Sequence, residues 1–260
     1  MSSKLSDAAL SPDWPQGTGL VALETVDSTN SEAGRQAATA SAQLWITAET
    51  QTAGRGRRGK PWLASGAPFA ATLLIPDPGP ADQAMLRSFV AALALADVFS
   101  LCGVADDQIG LKWPNDVLLK GRKIAGILLE SATHKDGSLA HLAIGIGVNL
   151  ASAPDPAGLP KDAVAPISLA DVIGGQIEAA SFLTFLASAY DKREAQFRAY
   201  GFGPIRTAWL DKAVRMGEVI TARTSSEEIT GRFETVDEAG HLMLRTAKEM
   251  RAISAAEIFF

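Results

Sequence analysis

The residues from Gln51 to Lys60, Gln-Thr-Ala-Gly-Arg-Gly-Arg-Arg-Gly-Lys, place three arginines and a lysine among three glycines, just after an apolar segment. Glycines let backbone approach a ligand closely, and guanidinium forks match the spacing of phosphate oxygens. With no anion nearby the four cations repel one another, which predicts a loop that stays mobile until a ligand neutralises it. A solvated basic surface loop and a nucleic-acid or localisation patch are the competing readings. The pattern GxxxxGK[ST] does not occur, so a P-loop nucleotide site is disfavoured.

Three further segments carry polar groups where a plain fold would not need them. Lys112-Trp113-Pro114-Asn115-Asp116 is a polar turn before an apolar strand. Pro114 favours an extended Trp113, and Asn115-Asp116 suits a turn, with Trp113 read as core packing. Lys123 stands at the start of the run Lys-Ile-Ala-Gly-Ile-Leu-Leu-Glu, otherwise apolar on both faces up to its terminal glutamate. Its ammonium either reaches water along its own stem or meets an anionic ligand at the mouth of the sheet. In Ala143 to Asn149, alternation puts Ile144, Ile146 and Val148 on one strand face and Gly145, Gly147 and Asn149 on the other. Glycine weakens a strand, so the bare face predicts something lying against it, a ligand or a closely packed element.

These segments need a framework. Gly19 to Glu24, Leu44 to Ala48 and Ala70 to Ile75 read as strands, with Thr29 and Glu32 spaced as a capping box at a helix start between the first two. Ala81 to Cys102 and Ser181 to Tyr200 read as long helices ended by Gly103 and Gly201. Val117 to Lys120, Lys123 to Glu130 and Leu139 to Leu150 follow at short intervals, turning at Gly121-Arg122 and Asp136-Gly137. Such connections leave no room for crossover helices, so the sheet is expected to be largely antiparallel. The stretch from Ala151 to Ile167, with Pro154, Pro156, Pro160 and Pro166, reads as loop. Short β-like segments after Asp211 suit a small barrel. The expected class is α+β. Residues 1–17 form a loose tail, 18–212 a main domain of helices on the sheet, and 213–260 a β appendage.

Composition narrows the function classes. The chain has 260 residues, 47% hydrophobic and 20% charged, with a net charge of −5. That balance is ordinary for a globular protein and argues against a general nucleic-acid binder. One cysteine, Cys102, precludes an intrachain disulfide and fits a reducing, cytoplasmic setting. No signal peptide is legible, and the apolar run Phe89 to Cys102 is interrupted by Asp97, so no membrane association is expected. His134, His141 and His241 lack metal-ligand spacing with Cys102 or with each other, and there is no GxSxG elbow.

The segments together resemble the biotin protein ligases (biotin–acetyl-CoA-carboxylase ligases). The matching stretches are DSTN at 27–30, QTAGRGRRG at 51–59, KWPND at 112–116, RKIAGILLE at 122–130 and GIGVN at 145–149, in the family's order. The resemblance implies a catalytic domain similar in fold to class II aminoacyl-tRNA synthetases and a C-terminal SH3-like barrel. It implies an enzyme that uses ATP and biotin, with Mg²⁺ expected, to form biotinyl-5′-AMP. A lysine on a biotin carboxyl carrier domain of a biotin-dependent carboxylase then takes the biotinyl group.

Carried over by position, the resemblance gives Ser28, Thr29, Asn30, Gln51, Gly54, Arg55, Lys123, Gly126 and Gly145 to biotin. It gives Arg55, Arg57, Arg58, Lys112, Asn115 and Asn149 to ATP and the adenylate. Lys123, Arg57 and Asp116 become the catalytic set, with Asp116 near either a metal or the incoming lysine. Lys60 stands where arginine is common. Bifunctional members carry a DNA-binding module of about 60 residues before the catalytic domain. Only about 17 residues precede the first strand here, so a form without that module, and without direct DNA binding, is expected. Lipoate and octanoyl transferases resemble RRxSGGG at this loop and fit less well. A non-catalytic biotin or nucleotide sensor is disfavoured by Arg57 and Lys123. Monomer and homodimer both stay open.

Overall fold

The computed structural model describes residues 14–62, 69–159 and 163–259. Seven strands form one sheet: β1 (Gly19–Val26), β2 (Leu44–Gln51), β3 (Phe69–Ile75), β4 (Ile109–Lys112), β5 (Asp116–Leu119), β6 (Arg122–Thr133) and β7 (Leu139–Val148). Their order is β1-β2-β3-β7-β6-β5-β4. Five of the six pairings are antiparallel, as the short turns predict. The exception is β1 with β2, which run parallel because a helix, α1 (Thr29–Gln36), crosses between them. β3 is buried along its whole length, which explains its lack of alternation.

One face of the sheet carries the main helical layer. The run expected from Ala81 to Cys102 is divided at Leu86 into α2 (Ala81–Met85) and α3 (Arg87–Leu101). Taken together, Ala81–Leu101 is long and apolar enough to cross a membrane, but most of it is buried inside the fold. α4 (Leu169–Ile173), α5 (Ala179–Tyr200) and α6 (Phe202–Leu210) complete the set. α3 and α5 are locked together by a buried ion pair, with Arg87 Nη2 2.9 Å from Glu194 Oε1. Edge-to-face contacts such as Phe69 with Phe182, centroids 5.0 Å apart, tie α5 to the sheet.

The other face is covered only in part. There α1 packs Ala33 against Ile46, Leu74 and Ala143. The rest of that face, over β6 and β7, is left for a cavity.

β8 (Val219–Arg223), β9 (Glu228–Val236), β10 (Leu242–Arg245), β11 (Met250–Ile253) and β12 (Glu257–Phe259) form a separate antiparallel sheet ordered β11-β10-β9-β8-β12. It supplies the expected β appendage. Arg206 on α6 donates to the Val236 carbonyl, and the Trp113 indole donates to the Gly240 carbonyl at 3.0 Å.

Several local expectations are corrected. Trp14 is no part of a loose tail: its indole donates to the Thr18 carbonyl at 2.8 Å and packs on the core. Residues 1–13 lie outside those described. The β5–β6 turn is Lys120-Gly121, both at positive φ, so Arg122 already belongs to a strand. The Thr29–Glu32 capping box does not form. Ser28 is the N-cap, Thr29 turns its hydroxyl to Gln51, and Glu32 pairs with Arg35. β6 is not buried on both faces: Ala125 and Ile127 are core, while Gly126, Leu128 and Glu130 alternate on a half-exposed face.

Candidate active site

The half-covered sheet face floors a cavity of about 710 Å³, a size that suits a small-molecule site. Every residue singled out above as a site residue lines it except Gly54: Ser28, Thr29, Asn30, Gln51, Arg55, Arg57, Arg58, Lys112, Asn115, Asp116, Lys123, Gly126, Gly145 and Asn149. Gly54 lies behind Gln51 instead, its would-be Cβ 3.0 Å from Gln51 Nε2.

Gly126 and Gly147 face each other across β6 and β7 and form the flattest part of the floor. The bare face does carry something, and it is protein. A Cβ on Gly145 would fall 2.3 Å from Asn30 Oδ1, and one on Gly147 would fall 2.6 Å from the Trp62 indole. Contacts that short exclude any side chain, which is why the strand is glycine here. Sequence reasoning missed Trp62, although an aromatic three residues after the last loop glycine was a usable signal.

At one end of the cavity the start of α1 forms a polar cluster. Gln51 Oε1 accepts from the Thr29 backbone N–H at 2.8 Å and from its hydroxyl at 3.2 Å. Thr72 Oγ1 lies 2.8 Å from Thr29 Oγ1 and 2.6 Å from Asn30 Oδ1, so its one proton serves one of them at a time. Asn30 Nδ2 donates to Glu130 Oε2 at 2.8 Å. Ser28, Thr29, Asn30 and Thr72 are all buried. This end presents hydroxyls and amides and no net cation.

The arginine loop folds back on itself, Trp62 N–H donating to the Gly54 carbonyl and Gly56 N–H to the Lys60 carbonyl. Its charges do not face one another unopposed, contrary to the expectation of simple repulsion. Arg55 binds Glu130 through two nitrogens, at 3.0 and 2.8 Å. Arg57 donates to the Ala256 carbonyl at 3.2 Å. Arg58, held in the left-handed region at φ 57°, lies 3.3 Å from Glu257, which also pairs with Lys60. Burial, and then the neighbouring Arg58, hold the Arg57 pKa below the usual arginine value. Lys60, by its hydrogen bond, holds Glu257 below the usual carboxylate range. β12 therefore closes one wall of the cavity, and no functional residue had been foreseen in the C-terminal segment.

Opposite the hydroxyl end, Lys123 Nζ lies 2.7 Å from Asp116 Oδ1, a close charge contact rather than a well-aligned hydrogen bond. The same ammonium sits 5.6 Å from the Trp62 ring centroid. Asn115 Nδ2 donates to the Ile127 carbonyl at 2.7 Å, which fixes the turn carrying Asp116 on β6. Asn149 Nδ2 donates to the Ile167 carbonyl at 3.2 Å. Among the described residues three buried side-chain atoms make no hydrogen bond: Asp116 Oδ1, which has only the charge contact with Lys123, the Trp62 indole N–H and the Asn149 carbonyl oxygen. An unmet donor and an unmet acceptor inside a cavity are what a polar ligand would satisfy. Among the described residues no cluster of three His, Cys, Asp or Glu could hold a metal by itself.

The model of the Biotin/lipoate A/B protein ligase family matches residues 22–149, and that of the Biotin protein ligase C terminal domain matches residues 216–260. The Biotin–[acetyl-CoA-carboxylase] ligase of Paracoccus denitrificans is 47% identical over 239 residues, covering 92% of this chain and 99% of the relative. The Bifunctional ligase/repressor BirA of Bacillus subtilis is 31% identical over 82% of this chain and 65% of its own length. Among solved structures, the biotin protein ligase of Aquifex aeolicus in complex with biotin and ATP superposes with a TM-score of 0.74. It is 23% identical and covers 92% of this chain and 97% of that one, a likeness of fold. The chain thus belongs to the biotin/lipoate A/B protein ligase family, in its biotin protein ligase branch.

Proposed function

We propose that the chain ligates biotin to a lysine of a biotin carboxyl carrier domain in two ATP-dependent steps. One observation carries this reading: a single cavity joins an uncharged hydroxyl–amide end to a cationic end across a glycine floor. Biotin offers a neutral ureido ring at one end and a carboxylate at the other, and the two ends of the cavity match them in that order.

The Ser28–Asn30 turn and Gln51 would bind the ureido ring, using hydroxyl and amide groups already held in place by the sheet. Lys123 would stand beside the biotin carboxylate as it attacks the α-phosphate of ATP and expels pyrophosphate. Arg57 and Arg58 would stabilise the charge that develops on the phosphates. The unmet Asn149 oxygen suits the exocyclic amine of adenine, a donor. In the second step a carrier lysine amine attacks the acyl carbon of biotinyl-5′-AMP, and AMP leaves. No protein nucleophile is needed.

Mg²⁺ usually binds through one or two carboxylates plus substrate phosphates. Asp116, the carboxylate beside Lys123, fits that demand and would hold the ion against the nucleotide, where it would add charge neutralisation. The division into a catalytic unit at 18–212 and a C-terminal unit at 213–260 is part of the same reading. So is a cytoplasmic location, where ATP and the carrier meet.

The test is biotin-dependent exchange of label between pyrophosphate and ATP, followed by transfer of biotin to a purified carrier domain. Exchange that requires biotin, and transfer confined to one carrier lysine, are the expected results. Exchange with lipoate or octanoate in place of biotin would redirect the reading to acyl transfer of another kind. Binding without exchange would make the chain a sensor.

A further inference from the structure

We propose that Glu130 is a positioning residue: it ties the root of the arginine loop to Asn30, so that the activated intermediate is retained rather than released. The proposal rests on the biotin-ligase reading above and adds a residue that does not itself line the cavity.

Arg55 differs from the other loop cations in where its fork is directed. Its Nε and Nη2 donate to the two oxygens of Glu130 at 3.0 and 2.8 Å, and its Nη1 donates to Ser31 Oγ at 2.8 Å. Three nitrogens of one guanidinium are thus engaged by β6 and α1, which makes Arg55 a strut at the base of the loop rather than a free phosphate ligand. Arg57 and Arg58, farther along the loop, reach the C-terminal segment and, from Arg57, Asn115, over longer contacts of 3.2 to 3.5 Å.

The same carboxylate sets Asn30. An ionised carboxylate only accepts, so it draws the Nδ2 donor of Asn30, 2.8 Å away, and leaves Oδ1 for the Thr72 hydroxyl at 2.6 Å. The amide then has one orientation, pressed against the bare backbone of Gly145. Burial raises the pKa of Glu130, but the hydrogen bonds from Arg55 and Asn30 outweigh it and keep the group below the usual carboxylate range. One anion on β6 therefore serves two elements: the biotin-facing helix start and the loop that covers the cavity.

A purely structural role predicts something different. The Arg55 and Glu130 side chains are 34% and 37% exposed, and pairs so open to water add little to stability. Global stability should hardly register the loss of Glu130, while the retention of the intermediate should.

The experiment uses the full chain with Glu130→Ala, Glu130→Gln, Arg55→Ala and the Arg55→Ala/Glu130→Ala double variant. Adenylate is formed from biotin and α-labelled ATP, and its release from the isolated complex is timed. Both Glu130 variants should form adenylate at close to the parent kcat, with a raised KM for biotin. They should release adenylate about tenfold faster, with biotin appearing on a bystander protein in step. The double variant should release it no faster than Arg55→Ala alone, because Glu130 acts on the loop through Arg55.

Unchanged retention in both Glu130 variants overturns the proposal. So does additivity in the double variant, or a loss of kcat and retention together with a fall in Tm. If the parent releases no pyrophosphate with biotin and ATP, the ligase reading fails and takes this one with it. That result is read on the parent alone, so the two failures are distinguishable.

Discussion

Lys123 Nζ and Asp116 Oδ1 meet 2.7 Å apart where β5 and β6 leave the cavity floor, the carboxylate largely and the lysine partly withdrawn from water. The pair keeps the ammonium pointed at the place where a carboxylate and a phosphate would be joined, since Asp116 cannot follow a ligand out of the turn fixed by Asn115. Lys123→Ala should therefore lower adenylate formation roughly a hundredfold or more, as loss of a charge at the reacting centre does elsewhere. Pyrophosphate release with biotin and ATP measures it directly. Near-parent release would remove Lys123 from the chemistry. Asp116→Asn, which keeps an acceptor beside the ammonium but removes the charge, should shift the Mg²⁺ dependence of the same assay.

Arg57 reaches the Ala256 carbonyl from the middle of the loop, so it links the loop to the C-terminal wall without an ion pair. Among the described cations of the loop it is the one that makes no ion pair with a carboxylate. Arg57→Ala should release adenylate about tenfold faster and label bystander proteins, while the carrier is still biotinylated. If adenylate stayed bound as tightly as in the parent, the loop would have to be held by its other contacts alone.

The glycine floor makes a steric prediction. In Gly145→Ala the new methyl would fall 2.3 Å from Asn30 Oδ1, and Asn30 cannot yield because Thr72 and Glu130 grip both ends of its amide. Overpacking of this kind disturbs a site by about 1–3 kcal/mol, so KM for biotin should rise roughly tenfold or more. The KM for ATP should change less, since the Asn149 end is untouched. Titration calorimetry with biotin alone would show the effect without turnover. Parent-like biotin affinity would mean that Asn30 does not face the ligand.

The residues on the floor and around the cations were legible because their chemistry is local. Glycines alternating with isoleucines mark a bare strand face, and arginines among glycines mark a loop with work to do. What stayed hidden depends on contacts between distant parts of the chain. Glu257 meets Lys60 across 197 residues, from a three-residue strand with no pattern of its own. The buried pair of Arg87 with Glu194 was hidden for the same reason, its partners lying 107 residues apart. α4 was a different kind of miss: Ser168 and Asp171 form a working capping box, visible as Ser-x-x-Asp before an apolar turn. The fold was largely readable, and the closing wall of the site was not.

Glu130 and Glu257, the two carboxylates that hold the loop, make its order depend on acidity, and the sign follows from their partners. Both groups have folded pKa values below the ordinary glutamate range, so each contributes stability that is fully present above about pH 4.3. That contribution is lost as pH falls through the depressed folded values, and between pH 5 and 8 it is constant. The loop should consequently loosen only in the acid limb, while the apolar core beneath it stays packed. Hydrogen exchange of the Gly56, Lys60 and Trp62 amides, each bonded within the loop, reads this once the intrinsic pH dependence is removed. Their protection should fall only as pH drops below about 4.3, while amides of β3 and β7 keep theirs. In Glu257→Gln, Lys60 should already exchange faster at pH 6 and show a weaker fall on acidification. Protection in the parent that shows no fall at any pH below about 4.3 at which the core stays intact would mean the turn geometry of the glycines holds the loop and the two ion pairs do not.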